Sequence, residues 1–365
     1  MKPIPVKKRK LKLAARLEEH VRALTDLGER STRCPEALEA AAVFIETRLQ
    51  SLGYSPVRQT FEADGISCSN IEAPMIEFRT DRPHLLVGAH YDSAEGTPGA
   101  DDNASAVAIL LELAERFSKT PELPVRFVAF VNEEPPYFDT KQMGSRRFAA
   151  RADKNAENIL GMVCLESLGI FISEPASQLL PETSSKTLHL MPESVDMSIG
   201  NFVAVIGTNA SFDFCQSFAA YMRCGMRGVP LLYGSMPDME VSDHLAFWRR
   251  GIPAVMVTDT AMLRNRHYHE PTDTPEKLNY PVMTEVLRGI ERAIRAMAEK
   301  ITRERRVFST ADIDASREIV RSILDTRRGR KNKIPACRAA ADFGKSRALT
   351  SRKTRWEQCG GLTAA

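Results

Sequence analysis

Residues 85–131 read LLVGAHYDSAEGTPGADDNASAVAILLELAERFSKTPELPVRFVAFV, and this stretch decides the fold. Its two ends, Leu85–Tyr91 and Val125–Val131, are short apolar runs of strand length. Between them, Asn103–Lys119 carries Ala104, Val107, Leu111 and Leu113 among its apolar positions and reads as a helix. A buried strand, a helix and a second buried strand in succession predict a parallel sheet. The loop rich in Gly, Pro and Asp falls at the carboxyl end of the first strand, where open α/β sheets bind their ligands.

The alternation continues on both sides. Leu11–Leu27 and Pro35–Leu52 read as helices, the second stopped by Gly53. Ser55–Phe61 and Cys68–Ile76 read as strands about the Ala63–Asp64–Gly65 turn. Downstream, Gly144–Arg151 opens a helix, Ile159–Leu165 is a strand, and a loop-rich region runs through Ser198. Phe212–Cys224 is a predicted helix, Pro230–Tyr233 a strand, Leu245–Arg250 a short helix, Ala254–Thr258 a strand, and a last helix covers Pro281–Arg303. The pattern predicts an α/β layered fold with a largely parallel sheet.

With 365 residues, 43% of them hydrophobic and 27% charged, the composition is that of an ordinary globular protein. No run of about 18 apolar residues exists, so no transmembrane segment is expected. The start, MKPIPVKKRKLKLAARLEEH, is basic but lacks the apolar stretch of an export signal, and a cytoplasmic location is the expectation. Seven scattered cysteines without C-x-x-C spacing argue against a disulfide framework and a cysteine zinc site. The net charge of +3 is unevenly spread: residues 327–365 hold eleven Lys or Arg against Asp342 and Glu357, about +9, leaving about −6 elsewhere. That tail has only Phe343 and Trp356 as aromatics, too few for a stacking platform, so it reads as a solvated, disordered extension and nucleic acid is not an expected partner. The division expected is a single catalytic domain over 1–305 and an extension over 306–365, basic and disordered from about 327.

Five places carry chemistry. His90 and Asp92, two apart at a strand end, point the same way, and a carboxylate can orient a ligand histidine; alone, the pair equally suits a structural histidine. Asp101, Asp102 and Asn103 open a helix and read either as a cap or as a ligand carboxylate with its supports. Glu133 and Glu134 end a buried strand, where two carboxylates repel each other and are costly to desolvate unless a metal offsets them. Glu166 closes another apolar strand. Asp243–His244 and His267, His269 and Asp273 bring imidazole close to carboxylates at later strand ends, a set of N and O donors that suits zinc. H-E-x-x-H, G-x-S-x-G and phosphate-loop patterns are missing. Two histidines and three acidic groups with one spare glutamate fit a two-metal hydrolase.

In order, GAHYDS, PGADDNAS, VNEE, CLES, VSDHLAFWRRGIPAVMVTDT and HYHEPTDT resemble the M28 family of zinc exopeptidases, which also contains glutaminyl cyclases. The resemblance covers about residues 10–303. It implies a three-layer α/β/α sandwich with a mixed, mostly parallel central sheet. It also implies two Zn2+ ions, with cobalt or manganese as other metals the site could take. Residue by residue, it makes His90 and Glu166 ligands of one zinc, Asp102 the bridge, and Glu134 and His269 ligands of the second. Glu133 becomes the general base and Asp92 the carboxylate behind His90, while Asp243 lies near the site without an assigned role. Three departures stand out: Glu166 replaces a frequent Asp, Pro135–Pro136–Tyr137 opens a longer loop, and Ala106 replaces a frequent glycine.

The activity so implied is removal of N-terminal residues from peptides, or cleavage of another small amide, by a water that Glu133 deprotonates. Its rivals are a glutaminyl-cyclase-like acyltransferase with a single functional zinc and a non-catalytic binding protein; the complete ligand set favours the peptidase. Side-chain preference and oligomeric state are not written in the sequence.

Overall fold

A computed structural model of the chain describes residues 6–75, 78–179, 188–191, 196–235 and 241–326. The chain divides into two compact units, Met1–Ser309 and Thr310–Ala365. The expected tail from 327 onward lies outside the described residues.

Seven helices and nine strands are described: α1 (Val6–Thr25), α2 (Pro35–Ser51), β1 (Val57–Ala63), β2 (Ile66–Ala73), β3 (His84–His90), α3 (Ala106–Phe117), β4 (Val125–Phe130), α4 (Gly144–Lys154), β5 (Ile159–Glu166), β6 (Leu188–Met191), β7 (Val203–Gly207), α5 (Phe212–Gly225), β8 (Leu231–Ser235), α6 (His244–Trp248), β9 (Ala254–Thr258) and α7 (Tyr280–Thr326). They form one mixed sheet in the order β1-β2-β4-β3-β5-β9-β7-β8-β6. Its centre, β4-β3-β5-β9, is parallel throughout. The β1–β2 hairpin pairs antiparallel to β4 on one side, and β7 pairs antiparallel to β9 on the other.

Burial on both faces explains the unbroken apolar runs. Leu85, Val87 and Ala89 of β3 join the core under α1, α2, α3, α5 and the first part of α7, whereas Leu86 joins a second core with Phe148 of α4 and Phe247 of α6. Successive side chains of one strand thus feed two helical layers, which gives the three-layer α/β/α sandwich. Gly88 is small by necessity, because a Cβ there would stand 2.3 Å from the Phe130 ring. The hairpin turn places Asp64 at φ 50° and Gly65 at φ 82°, the left-handed pair that a two-residue connection requires.

Three expectations need correction. The helix expected from Asn103 starts at Ala106, because Asp102 (φ −108°, ψ 91°) and Asn103 (φ −134°, ψ 28°) form a non-helical wide turn. The region read as loop through Ser198 contains β6, an edge strand of four residues, and the apolar run of β7 follows it. The last helix does not stop near Arg303 but continues to Thr326.

A partly buried ion pair ties α1 to α3. Arg16 Nε–H donates to Glu112 Oε1 at 2.9 Å, a second guanidinium N–H reaches Oε2, and His20 Nε2 lies 3.4 Å from Oε1. Burial pushes the Glu112 pKa up, but His20 and Arg16 outweigh it and hold it at about 2. A carboxylate with a depressed pKa stabilises the fold above its ordinary value of 4.5 and loses that contribution as pH falls toward 2. Glu112→Gln is expected to cost about 1–3 kcal/mol at neutral pH and clearly less in acid. Urea midpoints at pH 7 and 3.5 check this; an equal cost at both would remove the ion pair as the cause.

Candidate metal centre

Three neighbouring parallel strands end at the same level, and each delivers an acid or an imidazole. His90 closes β3, Glu166 closes β5, and Glu133 and Glu134 follow β4 past Asn132, whose φ of 59° turns the chain back over the sheet. Asp102 comes from the wide turn before α3, and His269 from the loop between β9 and α7.

The distances define two overlapping groups. His90 Nε2 lies 3.3 Å from Asp102 Oδ1 and 3.3 Å from Glu166 Oε2. His269 Nε2 lies 3.1 Å from Asp102 Oδ2 and 3.1 Å from Glu134 Oε2. The two oxygens of Asp102 therefore serve different groups, His90–Asp102–Glu166 and Asp102–Glu134–His269, each with donor atoms within 4.8 Å of one another. A third set, His90–Glu133–Glu134, also meets that limit, with Glu133 Oε2 3.8 Å from His90 Nε2. All of these side chains are buried except His269, 32% exposed, so the centre opens to solvent on the His269 side.

Electrostatics at the centre is dominated by desolvation and crowding of negative charge. Burial raises Glu133 well above the carboxylate range, with Glu134, Glu166 and Asp243 adding to the shift. Burial and Asp102 raise Glu134 to about 8 against the pull of His269. Burial likewise raises Asp243 to about 7. Burial disfavours charge on His90, yet Glu133, Glu166, Asp102 and Asp92 outweigh it and raise its pKa; hydrogen bonds with Asp102 and Glu134 raise His269 to about 10 in the same way. Asp102 is held below the ordinary range: burial opposes this, but both imidazoles stabilise its charge. Several buried donor atoms have no hydrogen-bond partner: both nitrogens of His90, Oδ1 of Asp92, Oδ1 of Asp102 and Oε1 of Glu134. A cluster of N and O donors left unsatisfied at a strand end is what a divalent cation would complete.

Neighbouring side chains fix these groups. Asp92 Oδ1 sits 3.5 Å from His90 Nδ1, and its Oδ2 accepts the Glu134 N–H at 3.1 Å. Asp273 accepts the N–H groups of Asp101 and Asp102, which shapes the wide turn. Asn103 spans to β5, donating to Leu165 O and accepting the Ser167 N–H. Ser242 donates to Glu166 Oε2 at 2.6 Å and Ser167 to Oε1 at 3.0 Å.

The structure brings together His90, Asp92, Asp102, Glu133, Glu134, Glu166 and His269. It leaves apart other members of the histidine and aspartate clusters. His244 is buried against Trp248 with ring centroids 4.3 Å apart, and His267 bonds Thr272 at 2.8 Å. Asp101 turns away, accepting the Gly169 N–H and the Asn265 amide. Sequence reading missed Tyr268, whose ring stacks on His269 at 3.9 Å and 15°. Burial and the carboxylates of Asp102, Glu134, Glu133 and Glu166 keep its phenol protonated. Its position next to His269 in HYHE was the available signal.

Comparison with known proteins identifies a family and a fold. Residues 73–294 match the pattern of peptidase family M28. An uncharacterized Escherichia coli (strain K12) protein, YfbL, is 36% identical over 290 residues, covering 75% of this chain and 85% of its own. A leucine aminopeptidase precursor from Bacteroides thetaiotaomicron superposes with a TM-score of 0.59 at 16% identity, over 77% of this chain and 96% of its own. A glutaminyl cyclase from Porphyromonas gingivalis superposes with a TM-score of 0.57 at 18% identity, over 78% and 98%. Identities that low establish a shared fold.

Asp102 is the residue whose loss should matter most to cation uptake. With zinc at 100-fold its dissociation constant, the wild-type chain is expected to gain about 2.7 kcal/mol over chelated protein, and Asp102→Asn little or none. Thermal denaturation with and without zinc reads this directly; equal stabilisation of both proteins would rule out Asp102 as a ligand.

Proposed function

We propose a function from one premise: the chain belongs to peptidase family M28. On that premise it is a zinc-dependent aminopeptidase that removes N-terminal residues from peptides at a two-ion centre. The observation that carries the reading is the division of Asp102, Oδ1 toward His90 and Glu166, Oδ2 toward His269 and Glu134. His90, Asp102 and Glu166 would hold one ion, and Asp102, Glu134 and His269 the other. The residues fit: the donors are imidazole and carboxylate, and buried atoms of His90, Asp102 and Glu134 lack other partners. Zinc, when bound there, supplies the Lewis acidity that polarises a carbonyl and makes water acidic enough to ionise at neutral pH.

The chain's own groups supply the rest. Glu133, buried beside His90 and unused in the two shared groups, takes the proton of the attacking water and returns it to the departing amine. Its raised proton affinity suits both halves of that transfer. Asp92 holds the His90 ring from behind and, through the Glu134 N–H, sets the position of the Glu133–Glu134 peptide. Tyr268, stacked on His269 and kept protonated by burial and the same carboxylates, would donate to the oxygen that gains charge as the carbonyl is attacked. The carboxylates around the open side favour a substrate whose α-amine is free and cationic.

Glu133→Gln is expected to retain zinc while lowering kcat by about 10²–10⁴. Full turnover by the zinc-loaded variant would exclude Glu133 as the base. Short peptides with free and acetylated N-termini, tested with and without chelator, decide the class of reaction. Release of N-terminal residues from the free peptides alone, lost with chelator and restored by zinc, is the expected result. Pyroglutamate formation from N-terminal glutamine without release of amino acid would instead make the chain a cyclase with one functional zinc, a chemistry found on the same fold.

A further inference from the structure

Arg30 lies in the connection between α1 and α2, and the chemistry above makes no use of it. Its side chain is wholly buried. Nε–H donates to Tyr91 O at 2.9 Å, and the terminal N–H groups donate to the carbonyls of Leu24, Gly28, Pro98 and Gly99. Its main chain pairs with the same loop a second time: Arg30 N–H donates to Ser93 Oγ at 3.0 Å, and Ser93 N–H donates to Arg30 O at 3.1 Å. One residue therefore grips both ends of the loop 91–99. The first end leaves His90 and carries Asp92; the second leads into the turn that carries Asp102.

The loop is shaped around the guanidinium. Gly99 sits at φ +56°, and a Cβ there would meet Ser93 Cβ at 2.6 Å and an Arg30 nitrogen at 3.0 Å. Among the described residues no carboxylate forms an ion pair with Arg30, so carbonyl dipoles alone touch the buried charge. Burying a guanidinium on those terms is costly. The field of the centre offsets part of that cost: burial lowers the Arg30 pKa to about 10, and Asp92, Asp273, Asp102 and Glu134 act in the opposite sense without cancelling it.

We propose that Arg30 is a positioning residue of the metal centre, fixing through main-chain carbonyls where His90, Asp92 and Asp102 stand and facing their negative charge with a buried positive one. The inference rests on the two-ion reading above. A guanidinium spreads five N–H donors over a rigid planar fork and so reaches carbonyls at both ends of the loop, whereas a lysine ammonium offers three donors from a single point. The role therefore belongs to arginine and not to positive charge alone.

The test compares wild type, Arg30→Lys and Arg30→Gln by zinc competition against a chromophoric chelator, by melting of chelated and zinc-loaded protein, and by kcat and KM. Arg30→Gln is expected to weaken zinc binding about 10–100-fold, so that its zinc-dependent rise in Tm shrinks. Arg30→Lys should recover part of that loss, and kcat should fall more than KM rises. Zinc affinity equal to wild type in both variants, with the same loss of Tm in chelated and loaded protein, would overturn the proposal and leave Arg30 a strut of the fold. Should neither variant fold, Ser93→Ala decides: it removes one tie to Arg30, and unchanged zinc affinity there also overturns the proposal. A wild-type chain that takes up no zinc overturns the two-ion reading and this inference together, whereas wild-type uptake matched by the variants overturns this inference alone.

Discussion

Asp92, Asp102, Glu133, Glu134, Glu166 and Asp243 are buried together at one end of a sheet. Ionised carboxylates removed from water and set beside each other are the least favourable arrangement a protein core can contain. Each feature around them answers that problem. Imidazoles of His90 and His269 stand between the acids, serine hydroxyls and a backbone N–H take some of the other carboxylate oxygens, and a buried guanidinium sits behind the loop. The part left unanswered is a set of donor atoms with no partner, which a bound cation would complete.

The sheet makes such crowding possible. β3 lies between β4 and β5, so the central strand supplies His90 and its neighbours supply the glutamates. Parallel strands covered by helices on both faces are rigid and dry, which keeps the carboxylates from spreading apart into solvent. Layers of apolar residues under α1, α2 and α3 on one side and α4 and α6 on the other hold the strand ends in register. The chemistry thus rests on the core, and the loops need only finish it.

Much of this was legible in the sequence because the two periodicities differ. Unbroken apolar runs at Leu85–Tyr91 and Val125–Val131 announced strands covered twice, and polar residues directly after them announced the ligand end of the sheet. What escaped had no local signal. The edge strand β6 is too short to show a pattern. The start of α3 is displaced because Asp273, far along the chain, takes the N–H groups of Asp101 and Asp102 for a different turn. His244 and His267 looked like members of the cluster by composition, yet a ring contact with Trp248 and a hydroxyl on Thr272 claim them. Arg30 was invisible for the same reason, since its partners are carbonyls, and every residue offers one of those.

The pairing of Asp102 with His269 joins positions 167 residues apart. A chain made from its N-terminus onward carries most of the acidic groups long before the second imidazole exists. Until the loop after β9 arrives, Glu134 and half of Asp102 face no counterpart, and Asp273 has not yet set the turn. Loop closure over that span is slow relative to local structure. The second donor group is therefore completed only by the loop that follows β9, so a chain ending before residue 269 lacks the imidazole that Asp102 Oδ2 and Glu134 share.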